Sequence, residues 1–168
     1  MRIALTADQG AFMTERLDYT RAAPDGMKAF GGVHSYVDKC GLPKPLINLV
    51  YLRVSLINGC AYCIDMHSRD LLKGGVPAEK LALVPVWFEA EDLFSERERA
   101  ALGWTETVTR VADTHIPDDA YAAAKSVFSD KELADLTIAI GLMNAYNRLA
   151  IGFRTTPLAV LHGVSATV

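Results

Sequence analysis

Apolar residues recur at helical spacing along nearly the whole chain, and polar or Gly/Pro breaks divide them into helix-sized blocks. Residues 11–21 form a first block. Pro24-Asp25-Gly26 breaks it, and residues 27–39 form a second. Gly41-Leu42-Pro43-Lys44-Pro45 separates these from residues 46–57, a third block rich in Leu, Val and Ile. Its β-branched content suits a strand as well, and periodicity alone does not separate the two. Asn58-Gly59 is a stop, with Gly suited to the left-handed position after a helix. A fourth helix is predicted from Cys60 to Lys73, ended by Gly74-Gly75. Pro77 opens a short helix.

Ser95 with Glu98, and Ser129 with Glu132, are capping boxes: a Ser followed three residues later by a Glu that reaches back to it. The first starts a helix to about residue 113. Pro117 with Asp118 and Asp119 opens another, ending near residue 128. The second box starts the apolar segment 133–153, which is apolar nearly all round and is expected to be the buried central helix. Thr155-Thr156-Pro157 ends it. The pattern contains no repeat and no linker. It predicts an all-α, single-domain bundle over residues 1–168, with about seven to eight helices.

The chain has 168 residues, 51% of them hydrophobic, enough for one core and a hint of association between copies. Seventeen basic and 20 acidic residues give a net charge of -3 with no basic block, which points away from nucleic acid. No apolar run approaches the roughly 20 residues of a membrane helix. Segment 133–153 is interrupted by Asp135, Asn144, Asn147 and Arg148. The start, Met1-Arg2-Ile3-Ala4-Leu5, lacks the apolar stretch of an export signal, so a cytoplasmic location is expected. Three cysteines in such a setting argue against a structural disulfide framework and for catalytic or metal-binding use of a close pair.

That pair is Cys60 and Cys63. With His67 and Asp70 they follow spacings of three, four and three, which place all four on one stripe of a helix. Free N–H groups and the positive end of the dipole at a helix start favour a thiolate, the nucleophilic form of Cys. Cys60 gains most from the terminus. Cys63 lies one turn from His67, which can accept its proton or stabilise its charge. These two effects leave the order of attack open. Once one thiol is oxidised to a sulfenic acid, the other is placed to condense with it as a disulfide, which a dithiol can then reduce.

Two rival readings accompany this one. The cysteines could be small core residues. They could also hold zinc with His67, but a structural site needs a fourth ligand from Cys40, His34, His115 or His162, and no second C-x-x-C or H-x-x-x-H exists. The assignment is therefore no metal. Cys40 reads as an incidental thiol and His34 as a satisfied surface or core residue. Arg53 and Arg148 are expected to pair with carboxylates or helix ends, Asn144 and Asn147 to bond within the core, and Trp87, Phe88, Trp104 and Tyr146 to pack.

The run from Leu52 through Asn58-Gly59-Cys60-Ala61-Tyr62-Cys63-Ile64-Asp65-Met66-His67 to Asp70 resembles the core of the alkylhydroperoxidase D-like proteins of the carboxymuconolactone decarboxylase superfamily. The stretches from Glu98 to Glu106 and from Asn144 to Ala150 are also similar to its small members. The resemblance spans about residues 46–157. It implies an all-helical fold assembled into homo-trimers or homo-hexamers. It also implies peroxidase activity on a small hydroperoxide, with no bound cofactor and an external dithiol protein or small thiol as electron donor. Carried over, Cys63 is the peroxidatic thiol, Cys60 its resolving partner and His67 the proton relay, with Tyr62 lining the site. The family's Glu twelve residues before the first Cys is here Asn48, which can orient an imidazole but cannot take a proton. Asp70 is the candidate substitute. The alternatives are a non-peroxidase redox or sensing protein with the same Cys pair, and a lactone decarboxylase-like enzyme, although the namesake decarboxylases do not rely on a C-x-x-C.

Overall fold

A computed structural model describes residues 14–163, and the first three residues of the predicted first helix lie outside them. The described chain forms α1 (Tyr19–Ala22), α2 (Pro24–Val37), α3 (Lys44–Asn58), α4 (Ala61–Lys73), α5 (Ala78–Leu83), α6 (Glu96–Thr109), α7 (Val111–Thr114), α8 (Asp118–Lys125), α9 (Asp130–Phe153) and α10 (Leu158–Leu161). Two 3₁₀ segments, Val84–Glu89 and Glu91–Leu93, join α5 to α6. No strand occurs among the described residues, so the ambiguity over the third block resolves to helix.

Local chemistry explains most boundaries. Ser95 and Ser129 each accept from the N–H three residues on, while Glu98 and Glu132 return to the cap backbone. Gly59 ends α3 at φ 72°, and its N–H donates to the Ser55 carbonyl. Three expectations are corrected. Pro24 does not end a helix but opens α2, since its fixed φ and missing N–H suit a first turn. The first described helix starts only at Tyr19, where the Asp18 carboxylate accepts from the N–H groups of Thr20 and Arg21. The helix after Ser95 stops at Thr109, and a separate turn, α7, follows.

The centre of the bundle is α3, which packs against α4, α6 and α9. Seven consecutive residues, Leu49 to Ser55, are buried, so α3 is enclosed on every side. The central position was expected for α9, but that helix buries one face (Leu133, Leu136, Ala139, Ile140, Met143, Asn147) and exposes Ile138, Gly141, Arg148 and Ile151. Its small and apolar outer residues imitate a buried helix in the sequence.

Polar groups enter this core in two satisfied clusters. Arg53 on α3 donates from Nε to Glu106 Oε1 on α6 at 2.9 Å, and Trp87 Nε1 donates to the same oxygen at 2.7 Å. The second cluster ties the C-terminus of α3 to α9. Asn58 Nδ2 donates to Asn144 Oδ1 at 3.0 Å and to Asn147 Oδ1 at 2.9 Å, and Asn147 Nδ2 donates to Ser55 Oγ at 3.1 Å. Arg148 is exposed and donates to the Asn144 carbonyl at 2.7 Å. No helix among the described residues is long and apolar enough to cross a membrane.

Candidate active site

The asparagine cluster holds the chain where α3 turns into α4. Gly59 makes the turn in the left-handed region, which an L side chain reaches only at a cost of about 1–2 kcal/mol. The next residue, Cys60, is the N-cap of α4 rather than its first helical residue, and its Sγ accepts from the Cys63 N–H at 3.4 Å. The sulfur thus occupies the position where a Ser or Asp oxygen usually caps a helix. The two cysteine sulfurs lie at bonding distance as a disulfide, with Cα atoms 5.4 Å apart. Cys60 is 1% exposed and Cys63 2%.

Cys63, His67 and Leu71 form the buried stripe of α4. Burial, and secondarily the nearness of His34, pushes the His67 pKa down from 6.5 to about 4, so the imidazole is neutral at physiological pH. Neither of its ring nitrogens is hydrogen-bonded to another described protein group. A neutral imidazole with free nitrogens can accept a thiol proton or donate to a developing oxyanion.

The other predicted residues lie around this stripe. Tyr62 is half-buried on the wall beside Cys63. Asn48 on α3 is half-buried and lines a cavity of about 340 Å³ that also touches His67, Tyr51, His34 and Asp70. No hydrogen bond joins Asn48 or Asp70 to His67, and Asp70 is exposed. A second cavity, of about 300 Å³, brings Cys63 and His67 together with Tyr62, Met66, Met143 and Tyr146. Its wall is mainly apolar, suited to a small organic molecule with one reactive polar group.

Two residues escaped the sequence reading. The Tyr51 ring lies 5.1 Å from His67, and its hydroxyl is buried without a protein partner, which drives its pKa upward. Tyr51 is three residues after Asn48, and that helical spacing was the available signal. His34, set aside in the sequence, stacks on Tyr51 at 6.5 Å, contacts Asp38 at 3.5 Å and borders both cavities with His67. No pattern within α2 marks it, because its place depends on how α2 docks. Cys40 is unpaired and half-buried, and among the described residues no cluster of three His, Cys, Asp or Glu side chains is arranged to hold a metal.

Comparison with known proteins agrees with this geometry. Residues 24–107 match the Carboxymuconolactone decarboxylase family. The uncharacterized protein YdfG of Bacillus subtilis (strain 168) is 32% identical over 139 residues, which cover 83% of this chain and 94% of that protein. The crystal structure of ATU0492 from Agrobacterium tumefaciens aligns with a TM-score of 0.82 and 41% identity, over 86% of this chain and 98% of that one. ATU0492 is a protein of unknown function that carries antioxidant defence protein AhpD as a provisional name. The debrominase Bmp8 shares the fold at a TM-score of 0.69 and 21% identity, over 82% of this chain and 74% of its own. Fold, motif and relatives converge: the chain belongs to the carboxymuconolactone decarboxylase family, and within it to the alkylhydroperoxidase D-like group.

Proposed function

We propose that the protein is a thiol-dependent peroxidase of small organic hydroperoxides. The observation that carries this reading is the shared wall of the 300 Å³ cavity, where Cys63 and His67 meet while the Cys60 sulfur lies within bonding distance behind them. In the reduced enzyme His67 accepts the Cys63 proton. The thiolate attacks the outer peroxide oxygen, the O–O bond breaks, and the alkoxide leaves with a proton as an alcohol. Cys63 is then a sulfenic acid. Cys60 attacks its sulfur, water leaves and the disulfide forms. An external dithiol, or two molecules of a small thiol, restores both thiols and is itself oxidised to a disulfide. No bound cofactor takes part.

Cys60 suits the resolving role, because the helix terminus that it caps favours its thiolate. Asn48 supplies no carboxylate to His67, and Asp38 and Asp70 on the same cavity wall make no hydrogen bond to it, so modest turnover is expected. We further propose a homo-trimer or homo-hexamer in the cytoplasm, where a dithiol donor is maintained.

The test is hydroperoxide consumption with a dithiol donor, read together with mass spectrometry of the thiols. Wild-type protein should turn over and accumulate the 60–63 disulfide. Cys63→Ser should be inactive, and Cys60→Ser should stall as a Cys63 sulfenic acid. Protein that stays fully reduced under excess peroxide would refute the reading. Single-turnover oxidation without multiple turnover would favour a sensor.

A further inference from the structure

The two sulfurs of the disulfide do not open onto the same space. Cys63 borders the His67 cavity. Cys60 borders a separate cavity of about 290 Å³, formed by the start of α4, the end of α9 and the segment leading to α10. Tyr62 and Ala150 are on the walls of both. The Cys60 side is lined by Ala150, Ile151, Pro157 and Val160, and also by Arg154 and Thr155.

The polar residues there are unusual. Arg154 follows α9 in the left-handed region at φ 59°, which is costly for a residue other than glycine. Its backbone N–H and that of Thr155 close the helix end onto the Ile151 and Ala150 carbonyls, at 3.3 and 2.9 Å. Arg16 takes the next two carbonyls, donating from its backbone N–H to Phe153 and from its side chain to Gly152. The carbonyl end of the helix is therefore already satisfied. The Arg154 guanidinium has no carboxylate partner among the described residues, and the Thr155 hydroxyl is buried with no hydrogen-bond partner. Asp65, the carboxylate that ties α4 to the start of α10, is engaged by Arg69 at 2.7 Å and by the Ala159 N–H at 2.8 Å.

We propose that this cavity is a reductant site, separate from the peroxide site, for a small aliphatic thiol that carries an anionic group such as a carboxylate. Arg154 and Thr155 hold the anion, the apolar wall takes the alkyl chain, and the sulfur is delivered to Cys60. The positive end of α4 favours the incoming thiolate. That thiolate attacks Cys60 Sγ, the Cys60–Cys63 bond breaks, and Cys63 leaves as a thiolate into the His67 cavity. A second thiolate attacks the ligand sulfur of the mixed disulfide and expels the Cys60 thiolate. One protein disulfide and two thiols become one protein dithiol and one small disulfide, with two protons carried over. The burial of both sulfurs excludes a bulky protein thiol from this route. The inference deepens the redox reading above, which needs a reductant, but its test uses no peroxide.

The experiment follows reduction of the oxidised protein, by quenched thiol counting, with 3-mercaptopropionate and with its uncharged amide at equal thiolate concentration. Wild-type protein is expected to be reduced about tenfold faster by the acid, with the advantage shrinking in high salt as screening rises. Arg154→Gln should remove the advantage and leave the amide rate within about twofold, and Arg154→Lys should restore part of it. Mixed disulfide formed with the acid should map to Cys60. Equal rates for acid and amide in wild-type protein would overturn the proposal, as would an unchanged acid preference in Arg154→Gln or trapping of the ligand on Cys63. A protein inert to every peroxide would defeat the peroxidase reading and leave these outcomes readable.

Discussion

Burial of His67 makes a quantitative prediction about stability against pH. The imidazole has a pKa of about 4 in the folded protein and 6.5 when solvated. Between those values the unfolded chain holds a proton that the folded chain does not, so stability rises with pH and is lost as pH falls below about 6.5. Each pKa unit corresponds to about 1.4 kcal/mol, so the full penalty below pH 4 is about 3 kcal/mol. From pH 7 to pH 5 the same linkage gives a loss of about 2 kcal/mol. The lowered carboxylates, among them Glu132 at about 2 and the buried Asp135, also lose stability on acidification, but they are common to any variant at position 67. The measurement is urea unfolding of oxidised wild-type protein and His67→Gln at pH 7 and pH 5. Gln carries no proton to gain, so whatever its stability at pH 7, its loss between the two pH values should be smaller than the wild-type loss by about 2 kcal/mol. Equal losses in the two proteins would show that His67 is protonated in the fold or reached by water, and the argument from burial would fail.

Other perturbations probe the frame of the site. Asn147→Ala removes the acceptor of Asn58 and the donor to Ser55 at a fully buried position, and should cost about 2–3 kcal/mol in urea unfolding. Arg53→Met strips Glu106 of its charge partner and should cost about 3 kcal/mol; a loss below 1 kcal/mol would show that water replaces the guanidinium. Gly59→Ala must hold φ 72° with a side chain, and should lower stability by about 1–2 kcal/mol with no cavity change to blame. Asn48→Glu puts a carboxylate into the cavity shared with His67 and should raise peroxide turnover by tenfold or more; an unchanged rate would count against His67 as the proton acceptor.

Features set by neighbouring residues were legible in the sequence. The two capping boxes, the left-handed Gly59 and the helical spacing of Cys63 and His67 depend on contacts within a turn or two, and the structure has each of them. Pro24 is ambiguous in the sequence because proline punctuates both helix starts and helix breaks, and only the following chain decides between them. Expecting α9 at the centre has a different cause. Both are apolar, but α3 has neighbours on all sides and α9 does not, and composition carries no record of neighbours. The environment of His67 was hidden for the same reason: Tyr51 reaches it across the α3–α4 contact, and His34 from the docking of α2. Asp70 shows the converse limit. Its spacing fits either a partner for His67 or a solvated carboxylate on the helix surface, and the structure exposes it.

The depth of the two sulfurs bears on how the protein can be assayed. Cys60 and Cys63 are almost inaccessible at the surface, whereas Cys40 is only half-buried and unpaired. A bulky alkylating reagent added to the native, reduced protein therefore meets Cys40 first, and the labelling stoichiometry follows a residue that takes no part in the cycle. Small reagents, entering by either cavity, would block Cys60 and Cys63 at rates set by passage rather than by thiol reactivity. A Cys40→Ser background, quenched under denaturing conditions, is what makes a free-thiol count report the oxidation state of the pair.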